Sequence, residues 1–224
     1  MELKILGQVR GVSPCNFPEG REDQQLVLNS RGEQVVAQGL PELTELVRLG
    51  QSWAIASTTG QAALLALPTV TAGLTIVNGE PANGLSLAID SFGSWEAVVD
   101  ATQTDVTALF AMLNKQGDSA PSSGTAETGF TSLSGRKALD AAVSAIRGAT
   151  VINNNWFPHS TEGAQMAAAA AGAQWKVNEA RVRGLYFVRP GSAFSIQAVK
   201  AAAAAAAQQF FFIRFHCVQI LWKS

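Results

Sequence analysis

The stretch FFFIRFHCV, residues 210–218, decides the fold class. Successive side chains of a β-strand point to opposite faces of its sheet. The stretch then presents two sets of side chains, which are Phe211, Ile213, Phe215 and Cys217 on one face and Phe212, Arg214, His216 and Val218 on the other. Both sets are largely apolar, so we predict a central strand of a sheet, buried on both sides.

Shorter stretches outward from this strand follow the same period. Alternating or β-branched runs bounded by turn residues predict further strands at 26–28, 34–37, 52–56, 74–77, 85–90, 95–100, 184–188 and 194–198. Asn78-Gly79 and Arg189-Pro190-Gly191 are the turn residues that end two of these runs. The sequence therefore predicts a mainly β protein with antiparallel sheets.

A few segments do not fit a pure strand pattern. Residues 41–47, with Pro41 in the first turn, predict one short helix. Residues 104–115 and 137–147 fit either a helix or a strand, and both alternatives remain open. The alanine-rich runs 167–171 and 201–207 are compatible with a short helix or a loop.

The domain organisation follows from length and composition. The chain has 224 residues, which suits one large domain, and we treat 1–224 as a single β-rich domain. Residues 116–129 are rich in Gly, Ser, Thr and Pro and are the best candidate for an exposed loop or a domain seam.

Composition excludes several partners. Charged residues make up only 15% of the chain, against about a quarter in typical soluble domains. The net charge is -1, so no basic surface for nucleic acid is expected. The apolar stretches 62–77 and 201–222 are interrupted by proline, glycine or polar residues, so no membrane span is expected. Cys15 and Cys217 are expected to be free thiols rather than a disulfide framework.

No motif for chemistry is present in the sequence. The two histidines, His159 and His216, do not form a metal-ligand spacing with the cysteines, since the adjacent His216 and Cys217 point to opposite faces of a strand. There is no Gly-x-Ser-x-Gly elbow and no phosphate-binding glycine loop. We therefore expect no catalytic, cofactor-binding or metal-binding residues, and we expect that the protein is not an enzyme.

The tryptophans are the best candidates for recognition. Trp95 and Trp222 lie in strand patterns and are interpreted as core residues. Trp156 and Trp175 lie in irregular segments and are better surface candidates. Because aromatic residues are enriched at protein interfaces, we predict that Trp156, Phe157 and Trp175 belong to an interface rather than to a ligand site.

Four segments resemble virion structural proteins of tailed bacteriophages, and most closely their β-rich head decoration (cement) proteins. They are LPELTEL (40–46), LPTVTA (67–72), NWFP (155–158) and RPGSAF (189–194). The resemblance spans most of the chain and lies in its small residues, its alternating strands and its apolar final strand. The alanine runs depart from it. It implies an antiparallel jelly-roll-like sandwich, self-association as a homotrimer, and docking on the major capsid protein at the capsid exterior after synthesis in the host cytoplasm. It implies no catalytic residues.

Two functional hypotheses from different classes follow. The first is a capsid decoration protein that binds and stabilises the assembled lattice. The second is a carbohydrate- or receptor-binding β module of a phage tail or spike, which exposed tryptophan together with the acidic strand ends Asp90 and Asp100 would favour. A hydrolase is a third reading, and it requires a Ser/His/Asp cluster that only the fold can assemble.

Overall fold

The chain folds as one short helix and a series of β-strands. The computed structural model describes residues 44–62, 64–97, 104–115, 117–135, 139, 141–153, 155–165, 175–200 and 208–219. Within these ranges the elements are α1 (Thr44–Arg48), β1 (Ser52–Ala56), β2 (Gln61–Ala62), β3 (Leu74–Asn78), β4 (Ser86–Ala97), β5 (Thr104–Leu113), β6 (Thr125–Glu127), β7 (Thr131–Ser132), β8 (Val143–Arg147), β9 (Phe157–Gln165), β10 (Trp175–Val188), β11 (Ala193–Lys200) and β12 (Gln208–Val218).

The strands form two antiparallel sheets that pack face to face. Sheet one has the order β10-β4-β12-β1-β7, with β2 also paired to β12, and sheet two has the order β6-β8-β3-β11-β5-β9. If the short strands β2, β6, β7 and β8 are set aside, eight strands remain in the orders β1-β12-β4-β10 and β3-β11-β5-β9. This double Greek key is the jelly-roll arrangement. The predicted antiparallel β-sandwich is confirmed.

The inner faces of the two sheets form the main hydrophobic core. Its largest fully buried side chains come from both sheets and include Phe92, Phe194, Phe211 and Phe215. Burying one such side chain contributes about 1.5–3 kcal/mol to folding. Phe92 and Phe194 meet edge to face, with ring centroids 5.3 Å apart, so the sheets interlock through aromatic contacts.

The strand β12 confirms the central assignment of residues 210–218. It lies between β4 and β1, and its inner set, from Phe211 to Cys217, is buried. The expectation of burial on both sides is wrong for part of the outer face. Phe212 is only half-buried there and Arg214 is exposed.

The predicted strands 85–90 and 95–100 fall on one continuous strand, β4 (Ser86–Ala97), as far as they are described, and residues 98–100 lie outside the described ranges. The pairing with β12 shifts register between Ile89 and Ser91, which leaves Asp90 as the extra residue of a β-bulge. The bulge keeps Ile89 and Phe92 on the inner face although they are three residues apart. As a result Trp95 lies on the outer face and is half-buried, so its assignment to the core is wrong.

The segments that the sequence left open are resolved by the sheet pairing. Residues 104–113 form β5, which lies between β9 and β11, and residues 143–147 form β8, which pairs with β3. The helix predicted at 41–47 corresponds to α1, which ends before Gly50, a glycine with a positive φ of 71°.

Residues 117–135 lie mainly at the surface and contribute β6 and β7. These two short strands cover the β8 edge of sheet two and the β1 edge of sheet one. Exposed sheet edges are sites of unwanted pairing, and short covering strands are one way to block them. The treatment of 1–224 as a single domain stays a prediction.

Some predictions fall on residues outside the described ranges. They are the strands at 26–28 and 34–37, Cys15, the alanine runs 167–171 and 201–207, and Trp222. Among the described helices, none is long and apolar enough to cross a membrane.

Candidate interface surface

Trp156 lies just before β9 and is anchored by its own indole. Its Nε1 donates a hydrogen bond of 2.8 Å to the carbonyl oxygen of Thr69. The ring packs against a second, smaller core cluster on the outer side of sheet two, formed by Ala72, Met112, Ala149 and Val151. The indole is therefore held rigidly while part of it stays accessible to solvent.

Two loop segments form the cover over this second core. Val151 N donates to Val70 O (2.9 Å) and Ala72 N donates to Ala149 O (3.0 Å). Ala72 and Val151 are buried, whereas their neighbours Val70 and Ile152 are exposed. The cover thus has an inner side that packs on sheet two and an outer side that presents apolar groups to water.

The outer side of the cover is the strongest candidate interface in the described part of the chain. We call it the neutral face and define it by Leu65, Leu67, Val70, Ile152 and Trp156. Leu67 is 71% exposed and Leu65 is 58% exposed, which is unusual for leucine. Leu65 and Leu67 belong to the same uncharged loop as Val70, and exposed apolar side chains that share a surface typically mark sites of protein association.

The segments that build the neutral face contain no charged residue. Residues 49–79, 119–126 and 148–158 lack Asp, Glu, Lys and Arg. These segments are joined in space, because Thr150 pairs with both Thr71 and Ser122. A partner that buries this surface must itself be poor in charge, since a desolvated charge would find no compensating group here.

Phe157 follows Trp156 in sequence but points to another side of the molecule. It begins β9, pairs with Ala111 and is 61% exposed at the edge of the sandwich. Its ring contacts the imidazole of His159 at 5.5 Å between centroids. Trp156 packs on the second core while the ring of Phe157 contacts His159, so the two neighbours have different surroundings.

The edge strands β9 and β10 meet along a seam that contains a histidine–tyrosine pair. His159 is the extra residue of a bulge in β9, because Leu109 pairs with Ser160 and Phe110 pairs with Pro158. The bulge directs the imidazole at β10, where its Nε2 lies 2.6 Å from the Tyr186 hydroxyl oxygen.

Burial changes both pKa values at the seam. Desolvation lowers the pKa of His159 below 6.5 and raises that of Tyr186 above 10. The imidazole is enclosed by aromatic rings, including Phe92 at 5.0 Å between centroids. The seam therefore favours a neutral imidazole that accepts or donates one hydrogen bond.

Trp175 lies at the opposite end of the sandwich from Phe157. Its backbone opens β10 and pairs with Ala97, at the end of the sandwich where β9 finishes at Gln165. The nine residues of β9 span roughly 27 Å at 3.3–3.4 Å per residue. The three predicted interface residues are therefore not brought together, and of the three only Trp156 belongs to the neutral face.

One pair of side chains bears on the hydrolase reading. Ser52 Oγ lies 2.7 Å from His216 Nδ1, and burial lowers the pKa of His216 while the charge of Asp90 raises it. The serine side chain is fully buried and His216 is 4% exposed, so a substrate has no access to either group. A nucleophile must reach its substrate, and this arrangement serves packing instead.

Other polar groups are used inside the sandwich. Lys200 Nζ forms a buried ion pair with Glu96, and Gln209 Nε2 donates to the same carboxylate at 3.1 Å. Burial raises the pKa of Cys217 to about 12, with a further contribution from Glu80, so its thiol stays protonated. In the described residues, no group of three or more His, Cys, Asp or Glu side chains could hold a metal ion.

Sequence reasoning found Trp156 but missed the other members of the neutral face. The stretch 62–77 was rejected as a membrane span, and no exposed apolar surface was predicted for residues 65–70. The sequence does contain a signal for this surface, which is an uncharged segment of leucines next to turn residues. Because the segment lies in a loop between β1 and β3, its apolar side chains are exposed.

The fold and this surface define a jelly-roll β-sandwich protein with an uncharged, apolar candidate interface. No family model and no curated protein matches the chain. Among solved structures, it is similar to the cryo-EM structure of mud crab dicistrovirus, with 10% identity over 100% of this chain and 96% of that chain and a TM-score of 0.23. It is also similar to the structure of a marine algae virus of the order Picornavirales, with 12% identity over 97% and 92% of the two chains and a TM-score of 0.23.

A TM-score of 0.23 is too low for either likeness to indicate the function of this chain. Both structures come from viruses, and neither of these viruses is a tailed bacteriophage. The resemblance to tailed-phage decoration proteins therefore stays a prediction from the sequence.

Proposed function

We propose that this chain is a virion structural protein that decorates an assembled capsid and stabilises it. The partner would be the major capsid protein, with self-association of the chain as a homotrimer on the capsid exterior. The observation that carries the proposal is the neutral face, a rigid and uncharged apolar surface on the outer side of the sandwich.

The jelly roll is compatible with this role without proving it. Viral capsid proteins, lectins and cupins all use this architecture, so function has to be argued from the surface. Interface cores are depleted in charge and enriched in aromatic residues, which matches the neutral face with Trp156 at its margin.

The physical mechanism of such a protein is linkage. A protein that binds the assembled lattice and not the free subunits stabilises the lattice in proportion to RT ln(1 + [L]/Kd). Many copies, each with a modest apolar contact, add up to a large effect on the particle. No chemical step is needed for this role.

Copy number tests the role directly. We would quantify this chain by mass spectrometry in purified particles from its source, relative to the main shell protein. A decoration protein should be present at roughly one copy per few shell subunits, as expected for binding to a repeated lattice site. A handful of copies per particle would point to a tail or spike, and complete absence would contradict a virion role.

The neutral face is tested by a matched pair of substitutions. Leu67→Asp places a charge on the neutral face, and Leu185→Asp places one at a similarly exposed leucine (72%) on β10, away from that face. Co-sedimentation with particles stripped of this protein should be lost for Leu67→Asp and retained for Leu185→Asp. Equal binding of both variants would show that the neutral face is not the docking surface.

A further inference from the structure

The core of the sandwich ends in three polar side chains that are as deeply buried as its apolar members. They are Glu96 on β4, Lys200 on β11 and Gln209 on β12, with exposed fractions of 3%, 1% and 1%. Lys200 lies two residues after Ala198 and Gln209 lies two residues before Phe211, so both continue the inward-facing side of their strands. An amine, a carboxylate and an amide are therefore placed inside the fold, away from water.

The carboxylate of Glu96 contacts both of the other groups. Its Oε1 accepts a hydrogen bond from Lys200 Nζ, and its Oε2 accepts one of 3.1 Å from Gln209 Nε2. Glu96 and Gln209 are cross-strand partners in sheet one, whereas Lys200 comes from sheet two. The amine of one sheet and the amide of the other are thus held on a single carboxyl group.

A fourth polar group shares the face of the lysine. Thr107 on β5 is the cross-strand partner of Lys200 and is 2% exposed. Such partners have Cβ atoms about 4.5–5.5 Å apart. Thr107 Oγ1 is buried and has no hydrogen-bond partner among the described residues. A buried hydroxyl without a partner costs free energy, and it can donate to or accept from a group formed beside it.

These groups are the ones that amide exchange requires. A primary amine is a nucleophile once it has lost a proton, and a primary amide is an acyl group whose nitrogen can leave as ammonia. A carboxyl group between them can carry protons from one nitrogen to the other. Burial excludes the water that would hydrolyse the amide instead. Replacing a buried ion pair with apolar residues is often neutral or stabilising, so stability alone does not account for this cluster.

We propose that Lys200 and Gln209 form an intramolecular isopeptide bond, with Glu96 as general base and general acid. Glu96 accepts a proton from the Lys200 ammonium, and the lone pair of the neutral Nζ attacks Cδ of Gln209. The bond between Nζ and Cδ forms, and the bond between Cδ and Nε2 breaks. Glu96 carries the two protons that Nζ loses to Nε2, so ammonium departs and the carboxylate is regenerated.

The product would join β11 of sheet two to β12 of sheet one by a covalent bond. The reaction occurs once in each chain and consumes no oxidant, water or other co-reactant. It is a self-modification without turnover. The inference rests on the buried cluster and not on the proposed capsid function.

The test is the intact mass of the purified full chain after prolonged incubation at neutral pH. We expect a mass about 17 Da below that of the sequence, because one ammonia is lost. Trypsin should then fail to cleave after Lys200, whose nitrogen is acylated, and should release residues 184–214 as one peptide with the same mass loss. An unlinked chain would yield 184–200 and 201–214 as separate peptides of full mass.

Variants of the cluster locate the bond. Gln209→Leu removes the acyl group and keeps the ion pair of Glu96 with Lys200, so it should fold and show its full calculated mass. Lys200→Arg should also show its full mass, because a guanidinium stays protonated. Gln208→Leu is the matched control, since Gln208 is the exposed neighbour on the same strand, and it should retain the loss of ammonia.

Three outcomes overturn the inference. The first is a wild-type chain with the full mass of its sequence. The second is a loss of about 18 Da, which is one water and would assign the bond to the Glu96 carboxylate. The third is a loss of ammonia that persists in Gln209→Leu or Lys200→Arg. The capsid proposal is judged separately by copy number and by Leu67→Asp, so the two can fail independently.

Discussion

The two outer faces of the sandwich differ in what lies above the sheet. On sheet two, loops 64–72 and 148–156 fold back and create a second small core, so the surface that reaches solvent is a loop surface without charge. On sheet one, the strands themselves reach solvent near Phe212, and aromatic rings alternate with Arg214 and Glu179. A covered sheet gains stability and offers a rigid apolar patch, whereas a bare sheet offers regularly spaced side chains.

The largest expected difference in stability is between the loss of a carboxylate on sheet two, Glu127, and the loss of one on sheet one, Glu179. Glu127 is buried, and its Oε1 accepts from Arg147 Nε at 2.8 Å and from Thr58 N at 3.2 Å. Glu127→Ala should lower the free energy of unfolding by about 3 kcal/mol, because the half-buried Arg147 guanidinium and the Thr58 amide lose their partner. Urea denaturation measures the change.

The exposed counterpart on sheet one is the matched control. Glu179 pairs with Arg214, whose side chain is 44% exposed. Glu179→Ala should cost less than about 1 kcal/mol, as is usual for surface ion pairs. Equal losses for Glu127→Ala and Glu179→Ala would show that the Glu127 ion pair is no better shielded from solvent than the Glu179 ion pair.

Two glycines, Gly73 beside sheet two and Gly93 in sheet one, allow the packing at the two faces to be compared. A Cβ at Gly73, where the cover joins β3, would lie 2.4 Å from the Phe211 ring in the main core. Gly73→Ala should cost about 1–3 kcal/mol, because the buried ring has little freedom to move. Thermal or urea unfolding provides the measurement.

At Gly93 the same change meets the carbonyl oxygen of Asn178 at 2.3 Å and the half-buried Phe212 ring. Gly93→Ala should also destabilise the fold, and it should displace the Phe212 ring. Wild-type stability of both variants would contradict the packing described for both faces.

A smaller effect is expected at the seam between the sheets. The pKa of His159 is lowered by burial, so the unfolded chain binds its proton more readily than the folded chain. This contribution to stability is fully present above pH 6.5 and is lost as the pH falls through 6.5 toward the folded pKa. His216 shifts in the same direction and adds to the loss.

His159→Phe should reduce the fall in the urea midpoint between pH 7.5 and 5, with the remaining slope assigned to His216 and to carboxylates. The aromatic substitution retains contact with Phe92 and Phe157 and loses the hydrogen bond to Tyr186. An unchanged pH profile would indicate that His159 titrates as it does in the unfolded chain.

The smallest effect on stability is expected on the neutral face itself. Leu67 is largely exposed, so Leu67→Ser should change the free energy of unfolding by no more than about 0.5 kcal/mol. Its role is expected in binding alone. A loss of several kcal/mol would mean that Leu67 packs in a core.

Much of the fold could be predicted because strand periodicity is local. The alternation from Phe211 to Cys217 correctly predicted a central strand, although not which of its faces is inner. The region 104–113 could not be assigned, because its apolar residues fit both periods, and only pairing with β9 and β11 made it a strand. The assignment of Trp95 to the core was wrong because the bulge at Asp90 shifts which residues face inward.

The candidate sites were less predictable because their residues come from different parts of the chain. Trp156 was singled out because it is aromatic and lies in an irregular segment, yet Val70 on the same face comes from a loop far away in the sequence. That Trp156, Phe157 and Trp175 belong to an interface stays a prediction, and the length of β9 separates Phe157 from the backbone of Trp175.

By itself, the sequence determined the β class, the strand at β12 and the low charge of the chain, because periodicity and composition depend on neighbouring residues alone. Tertiary structure decided which face each residue occupies after a bulge, which loops cover sheet two, and which side chains meet around Phe212 and Trp156. These depend on contacts between residues far apart in the chain, and such contacts leave no pattern in a single sequence.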